Sequence, residues 1–217
     1  MKQFALRIFL MIFGLALYAL GIVVTIKANI GYAPWEVFHA GLLHTFGFSM
    51  GFFSIVVGLV IVIIVILLKE KIGLGTISNM VLIGVFMDIF LFLDFVPVPE
   101  YFVVNVLLLV SGLFIISVGS YFYIKSAFGA GPRDSLMVVL TRRTKIPVGV
   151  CRSIIELSVT IAGWALGGMV GIGTVISVIG IGFCIQITFR IFQFDVTMIR
   201  HETLPETFGL KPKKAKR

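Results

Sequence analysis

The chain has 217 residues, of which 59% are hydrophobic and only 13% are charged, and its mean hydropathy is +1.12. So few charged residues cannot cover the surface of a soluble domain of this size, and the composition therefore excludes the soluble classes. The net charge of +8 does not indicate nucleic-acid binding, because five of the last seven residues form a basic tail.

Six apolar stretches have the length that crosses about 30 Å of hydrocarbon as a helix. Unpaired backbone polar groups are not tolerated in lipid, so these stretches must be helical. The spans are predicted near residues 4–26, 50–68, 74–94, 102–124, 147–167 and 171–192. We therefore expect an all-α polytopic membrane protein, with a single transmembrane domain over residues 1–198 and a basic cytoplasmic tail over 199–217.

The two halves of the chain resemble each other. A shift of 98 residues aligns them without a gap from Gly14 to Gly84. The matched pairs include Lys27 with Lys125, Gly31 with Gly129, Pro34 with Pro132, Glu36 with Asp134, and the Gly-x-Gly-Thr run 73–76 with 171–174. Repeat 1 is predicted over about 4–97 and repeat 2 over about 102–195. Because each copy supplies three spans, the second is expected to lie in the membrane upside down relative to the first.

The basic residues support this inverted arrangement through the positive-inside rule. With the N-terminus in the cytoplasm, 16 of the 18 basic residues are cytoplasmic, while Lys27 is outside and Arg152 lies within a span. Both termini are accordingly predicted to be cytoplasmic. The tail is expected to bind anionic lipid, at about 1 kcal/mol for each basic residue near the surface.

A short segment follows the first span of each repeat, at residues 34–46 and 132–144. Each begins with proline, which suits the first turn of a helix, and has an acid at the third position. Thirteen helical residues extend about 20 Å, which is too short to cross a bilayer. Two interpretations remain open. The segments are either half-helices whose N-termini frame a polar site near the midplane, as in many transporters, or interfacial helices at the membrane surface.

Ionisable residues inside a membrane domain are functional candidates, because burying them is costly. The sequence gives nine candidate substrate-binding residues: Gly31, Pro34, Glu36, Asp88, Gly129, Pro132, Arg133, Asp134 and Glu156. Arg152 lies four residues before Glu156, so a structural ion pair within one helix is an equal alternative for that carboxylate.

No motif for catalysis, metal binding or cofactor binding is found. The histidines 39 and 44 and the cysteines 151 and 184 lack metal-ligand or redox spacing. The Gly-x-Gly-Thr runs lack the spacing and lysine of a phosphate-binding loop, and we expect them to serve close helix packing or a tight turn. Since no nucleophile with a neighbouring base is apparent, we do not expect an enzyme.

The runs Gly31–Glu36, Gly73–Asp88 and Gly129–Met137 resemble the YczE/YyaS/YitT-type bacterial multi-pass membrane proteins, over nearly the whole chain except the tail. Ala33 stands where members of that family are expected to carry a second glycine. The resemblance implies a location in the bacterial plasma (inner) membrane and names no substrate.

The leading functional hypothesis is a small secondary transporter or exporter of a small solute, with its site at the interface of the inverted repeats. The alternative is a non-catalytic membrane subunit or regulator, such as a substrate-capture or scaffold component, and a passive channel is a further alternative. Expected partners are the lipid bilayer, a small-molecule solute, and either a second copy of the chain or a partner membrane subunit.

Overall fold

The computed structural model describes residues 2–209, and the regular secondary structure in this part of the chain is entirely helical. The helices are α1 Lys2–Lys27, α2 Pro34–Phe46, α3 Met50–Leu67, α4 Leu74–Leu93, α5 Phe102–Lys125, α6 Pro132–Thr144, α7 Val148–Ala165, α8 Ile172–Ile191 and α9 Leu204–Thr207. All but α2, α6 and α9 are long and apolar enough to cross a bilayer. The prediction of an all-α chain with six candidate spans is therefore confirmed. The five basic tail residues from 211 onward lie outside the described residues.

Helices α2 and α6 have the predicted bounds, because local sequence sets both of their ends. Each begins with a proline in its first turn, where the missing N–H has no helical partner to lose. Each stops at a residue in the left-handed region, Gly47 with φ 79° and Lys145 with φ 61°. The N–H of that residue donates back to the last turn, which closes the helix.

Helices α1 and α5 form the centre of the molecule and pack through four glycines. A Cβ atom on Gly14 would lie 2.6 Å from the backbone nitrogen of Tyr123, and one on Gly21 would lie 2.6 Å from that of Ile116. Gly112 and Gly119 face α1 at similar distances. Small residues of this kind let two membrane helices approach backbone to backbone, which maximises dispersion contacts that lipid cannot replace.

The Gly-x-Gly-Thr runs begin α4 and α8 and hold the loops that precede α6 and α2. The N–H of Gly75 donates to the Phe128 carbonyl at 2.8 Å, and the N–H of Gly173 donates to the Ile30 carbonyl at 2.7 Å. Gly173 is the repeat equivalent of Gly75, and Phe128 is the equivalent of Ile30, since each pair is 98 residues apart. The same contact is therefore made twice, with the two halves of the chain exchanged. The close-packing interpretation of the glycines accounts for this contact, because a side chain at either position would strike the opposing loop.

Polar contacts of two basic residues mark the two faces of the helical bundle. Near the start of α1, Arg7 donates to the Ser126 carbonyl at 2.8 Å. At its end, Lys27 pairs with Asp94, which follows α4. We call these the Arg7 face and the Lys27 face. A rise of 1.5 Å per residue places Tyr18 about 17 Å from the first and about 14 Å from the second, near mid-depth.

Residues 199–209, which the sequence assigns to the cytoplasmic tail, fold back onto the Arg7 face. The N–H of Glu202 donates to the Ala127 carbonyl at 2.8 Å, and that of Leu204 donates to the Ile72 carbonyl at 3.0 Å. The Glu202 carboxylate also pairs with Arg7 at 2.8 Å. This segment therefore ties the loops before α4 and α6 to the start of α1.

Candidate functional site

The N-terminal ends of α2 and α6 meet inside the molecule. Arg133, the second residue of α6, lies 3.7 Å from the Glu36 carboxylate of α2, and its guanidinium stacks 4.6 Å above the Trp35 ring. Arg133 and Trp35 are themselves 98 residues apart. Each of these residues therefore contacts its own counterpart in the other half of the chain.

The two short helices run from this meeting point towards opposite faces. Near the end of α2, Thr45 hydrogen-bonds to the Leu166 carbonyl at 3.5 Å, in a loop of the Lys27 face. Near the end of α6, Arg142 pairs with Glu70 at 2.8 Å on the Arg7 face. Two surface helices separated by about 30 Å of hydrocarbon could not touch each other. The geometry therefore favours half-helices over interfacial helices.

Three adjoining cavities surround this meeting point, with volumes of about 210, 80 and 80 Å³. Tyr18, Arg133 and Arg152 line all three of them. The largest also contains Asn79 and Asp134 in its wall. Because Tyr18 is near mid-depth, the cavities lie at the centre of the bundle. Charged side chains are costly at this depth of a membrane protein.

Five charged side chains converge on these cavities, and four of them are paired. Arg152 and Glu156 form a hydrogen-bonded ion pair at 2.8 Å along one face of α7. Glu36 is balanced by Arg133, with only 6% of its side chain exposed. Within residues 2–209, the Asp134 side chain makes no hydrogen bond and has no ion-pair partner within 4 Å. Its carboxylate faces the largest cavity, at the N-terminal end of its own helix.

Two buried polar side chains beside the cavities have no hydrogen-bond partner among the described residues. His39 lines the largest cavity with 1% of its surface exposed, and both of its ring nitrogens are unpaired. Ser177 lines a smaller cavity with an unpaired hydroxyl. Buried polar groups without partners are uncommon and destabilising. Both side chains add polar atoms to the walls of the cavities.

The nine sequence candidates do not all gather at this site. The cavity walls contain Pro34, Glu36, Pro132, Arg133, Asp134 and Glu156. Gly31 and Gly129, with φ of 114° and 131°, instead press against the starts of α8 and α4. Asp88 lies away from the cavities, where it accepts hydrogen bonds from Ser49 at 2.5 Å and from the Gly51 N–H at 2.8 Å.

Sequence reasoning missed three residues of the cavity walls, namely Tyr18, His39 and Asn79. Tyr18 belongs to no motif, and His39 lacks metal-ligand spacing, so neither was a candidate. Arg133 is a predicted site residue, but the positive-inside count also assigned its charge to the cytoplasmic side. The structure corrects that assignment, because it places Arg133 beside Trp35 in the interior. Asn79 had one available signal, because it aligns with the polar Ser177 of the second repeat.

The arrangement suits the binding of a small polar or charged solute. Helix N-termini and paired side chains provide a preorganised polar centre within an apolar bundle. No group of three or more His, Cys, Asp or Glu side chains able to hold a metal ion occurs within residues 2–209.

Comparison with known proteins places the chain in a family. Residues 5–190 match the model described as "Family of unknown function (DUF6198)". The "Uncharacterized membrane protein YczE" of Bacillus subtilis (strain 168) is 35% identical over 175 residues, which are 80% of each chain. An "Uncharacterized protein" of Haemophilus influenzae is 30% identical over 177 residues, covering 82% of this chain and 80% of the relative. The "Uncharacterized protein YyaS" of B. subtilis is 26% identical over 172 residues, covering 76% and 83% respectively. No solved structure matches.

The predicted resemblance to YczE and YyaS is confirmed.

Proposed function

This chain belongs to the DUF6198 family, and we propose that it is a small secondary transporter or exporter of a small polar solute. One observation carries the proposal: a polar cavity lies at mid-depth between the N-termini of two half-helices that come from opposite faces. Transporters built from inverted repeats bind their solutes at such broken helices, because half-helix ends supply polar groups at the bilayer centre.

Contacts made in exchanged roles support the inverted repeat. The Gly75–Phe128 and Gly173–Ile30 hydrogen bonds are one pair of this kind. The helix contacts of Gly14 with Gly119 and of Gly21 with Gly112 are another. A two-fold relation between the halves, with its axis in the membrane plane, would produce both.

The charge distribution supports a cytoplasmic Arg7 face. Basic residues near that face include Arg7, Lys71, Arg142 and Arg143, whereas Lys27 lies on the other face. Arg133 leaves the count of loop charges because it lies in the interior. The asymmetry still follows the positive-inside rule. We accordingly place the protein in the bacterial plasma membrane with a cytoplasmic N-terminus.

The driving force is proposed to be an ion gradient, since the sequence carries no phosphate-binding loop for ATP. Asp134 is the best-placed carboxylate to bind a coupling proton or a cationic group of the solute, because Glu36 and Glu156 are already paired with arginines. Its unpaired state leaves it available to a ligand.

The test is solute flux in liposomes that contain the purified protein. Liposomes are loaded with an equimolar mixture of amino acids, amines, carboxylates, sugars and nucleosides, and the retained solutes are quantified by mass spectrometry under an imposed proton gradient. Wild-type protein should speed the loss of one chemical class, and the Asp134→Asn variant should reduce that loss at least tenfold. Equal retention of every class in wild-type and protein-free liposomes would contradict transport.

A substrate-capture subunit of a larger complex is the competing function. It would bind a solute at the same cavity without moving it. Thermal stabilisation of the purified protein by one class of the mixture, combined with no flux, would favour that reading. Co-purification with a second membrane protein would support it further.

A further inference from the structure

We call the 210 Å³ cavity the central cavity. Helices α3 and α4 are in close contact on its Lys27 side. A Cβ atom on Gly84 would lie 2.5 Å from the Gly51 carbonyl oxygen. Asp88 fastens the contact, because its carboxylate accepts from the Ser49 hydroxyl at 2.5 Å and from the Gly51 N–H at 2.8 Å. We call this contact, made by Ser49, Gly51, Gly84 and Asp88, the outer seam.

The equivalent positions of α7 and α8 are separated. A shift of 98 residues converts the outer seam into Pro147, Gly149, Gly182 and Gln186, a set that we call the inner seam. A Cβ atom on Gly149 or on Gly182 would meet no atom within 4 Å. Gln186 is exposed, on the wall of an open groove near the Arg7 face. The glycines that allow close packing in one half are therefore present but unused in the other.

The two halves thus show one template in two arrangements. The outer seam is closed, and the inner seam is open on the Arg7 side, where Ile185 and Phe189 of α8 line the central cavity. If the halves are inverted repeats, each half can adopt the arrangement now seen in the other. The inner seam is then closed and the outer seam open, so that the cavity opens on the Lys27 side.

We propose that the outer and inner seams are the two gates of the transporter and that they open alternately. The proposal rests on the proposed function. In the second state Gly149 packs on Gly182, the Gln186 amide oxygen accepts from the Gly149 N–H, and the outer seam separates. The central cavity then exchanges solute with the Lys27 side.

The chemistry of the two seams explains which state is observed. The outer seam has two hydrogen bonds to a carboxylate, and charge-assisted bonds are about twice as strong as neutral ones. The inner seam has a neutral amide at 186 and a proline at 147, which offers no hydroxyl. Closing the outer seam is therefore the more favourable of the two closures, which leaves the inner seam open at rest.

The experiment compares two equivalent cysteine pairs in a background that lacks Cys151 and Cys184. One protein carries Ser49→Cys with Asp88→Cys, and the other carries Pro147→Cys with Gln186→Cys. Each is treated in membranes with a short thiol cross-linker. The outer pair should cross-link readily, because the two positions lie against each other in the observed state and the cross-link replaces the Ser49–Asp88 hydrogen bond that the changes remove. The inner pair should also cross-link, more slowly, because the closed inner seam is a minor state at rest.

A reporter cysteine, Ser54→Cys, lines the central cavity and shows which side is open. A membrane-impermeant thiol reagent, applied to right-side-out or inside-out vesicles, should label it from the Arg7 side after the outer pair is cross-linked. After the inner pair is cross-linked, labelling should come from the Lys27 side. An inner pair that never cross-links, although each of its single cysteines reacts with maleimide, overturns the proposal. So does labelling from one side only in both cross-linked proteins.

A gain-of-closure variant guards against misfolding of the cysteine pairs. Pro147→Ser with Gln186→Asp copies the outer fastening onto the inner seam. It should shift Ser54→Cys labelling towards the Lys27 side by about tenfold, the effect of one hydrogen bond to a charged group. A folded variant without a shift contradicts the gate assignment.

These outcomes are separable from those of the flux experiment, since cross-linking and labelling need no solute. Alternating access without flux of any tested class would leave the gates standing and remove the transport claim. Flux without a change of labelling side would support transport and contradict the assignment of the two seams as gates.

Discussion

Helices α2 and α6 occupy equivalent places, have 13 residues each, and begin and end in the same way, yet they are embedded differently. Helix α2 buries six residues, among them Trp35, Glu36 and His39, whereas α6 buries three. The α2 sequence is largely apolar, while α6 carries polar and charged residues at both of its ends, on either side of an apolar run over 136–140. The shared backbone therefore depends on the proline and on the left-handed terminal residue, and the side chains are free to differ.

The neighbours of the two helices differ in the same sense. Helix α2 packs on α7 through Gly41 and Gly163, where a Cβ atom on Gly163 would lie 2.5 Å from the Phe38 backbone. At the equivalent positions, α6 and α3 carry Val139 and Val65, which are both buried. Glycine contacts bring α2 and α7 backbone to backbone, so we infer that α2 is the firmly held half-helix. The unpaired Asp134 makes α6 the half-helix that is free to respond to a ligand.

The largest effect is expected from filling the α2–α7 contact. Gly41→Val would place atoms against the Gly163 backbone and the Leu166 side chain, which cannot both move aside. Overpacking costs about 1–3 kcal/mol, and the upper end applies because backbone is struck. The matched change Val139→Ala in α6 should cost about 1 kcal/mol. Unfolding midpoints of the purified proteins would show the difference, and equal losses would remove the distinction between the helices.

Neutralising the two half-helix acids should separate stability from function. Glu36→Gln leaves Arg133 without its counter-charge, and the cost should be about 1–2 kcal/mol, because the pair is 3.7 Å apart and 30% of the arginine side chain is exposed. Asp134→Asn should leave the free energy of unfolding within about 0.5 kcal/mol of the wild-type value while reducing flux at least tenfold. Comparable destabilisation by both changes would indicate that Asp134 has a structural partner.

The Arg152–Glu156 ion pair of α7 is a further difference between the two halves, since the equivalent helix α3 has Ser54 and Gly58 at these positions. If the Glu156 carboxylate takes part in transport, Glu156→Gln should leave the protein level nearly intact and lower flux. A purely structural pair predicts another result, namely loss of membrane accumulation that is restored by adding Arg152→Gln. Quantitative membrane blots with the flux assay distinguish the two.

A small change in stability is expected from replacing the initiating prolines. Pro34→Ala and Pro132→Ala should each cost about 0.4–1 kcal/mol, because alanine also forms a first helical turn and mainly enlarges the unfolded ensemble. If the half-helix ends shape the site, flux per folded molecule should also fall, which a loss of stability alone would not cause. Reduced membrane accumulation in both variants, with normal flux for each remaining molecule, would mark the helices as scaffold.

The bounds of α2 and α6 were predictable because proline and the terminal turn act within a few residues. The meeting of Arg133 with Trp35 was not, because it joins helices that arrive from opposite faces of the bundle. Asp88 illustrates the same limit. An acid inside a span is a functional candidate by sequence, but its hydrogen bonds to Ser49 and Gly51 depend on how closely α3 approaches α4.

By itself, the sequence determined the membrane class, the six candidate spans, the two short helices and the relatedness of the halves. Each of these depends on local runs or on direct comparison of positions, which hydropathy and helix-end chemistry make readable. Only the tertiary structure decided which polar residues share the central cavity, and that one pair of equivalent helices is closed while the other is open. Those features arise from packing between distant segments, where identical glycines at Gly51 and Gly149 have a close neighbour in one half and none in the other.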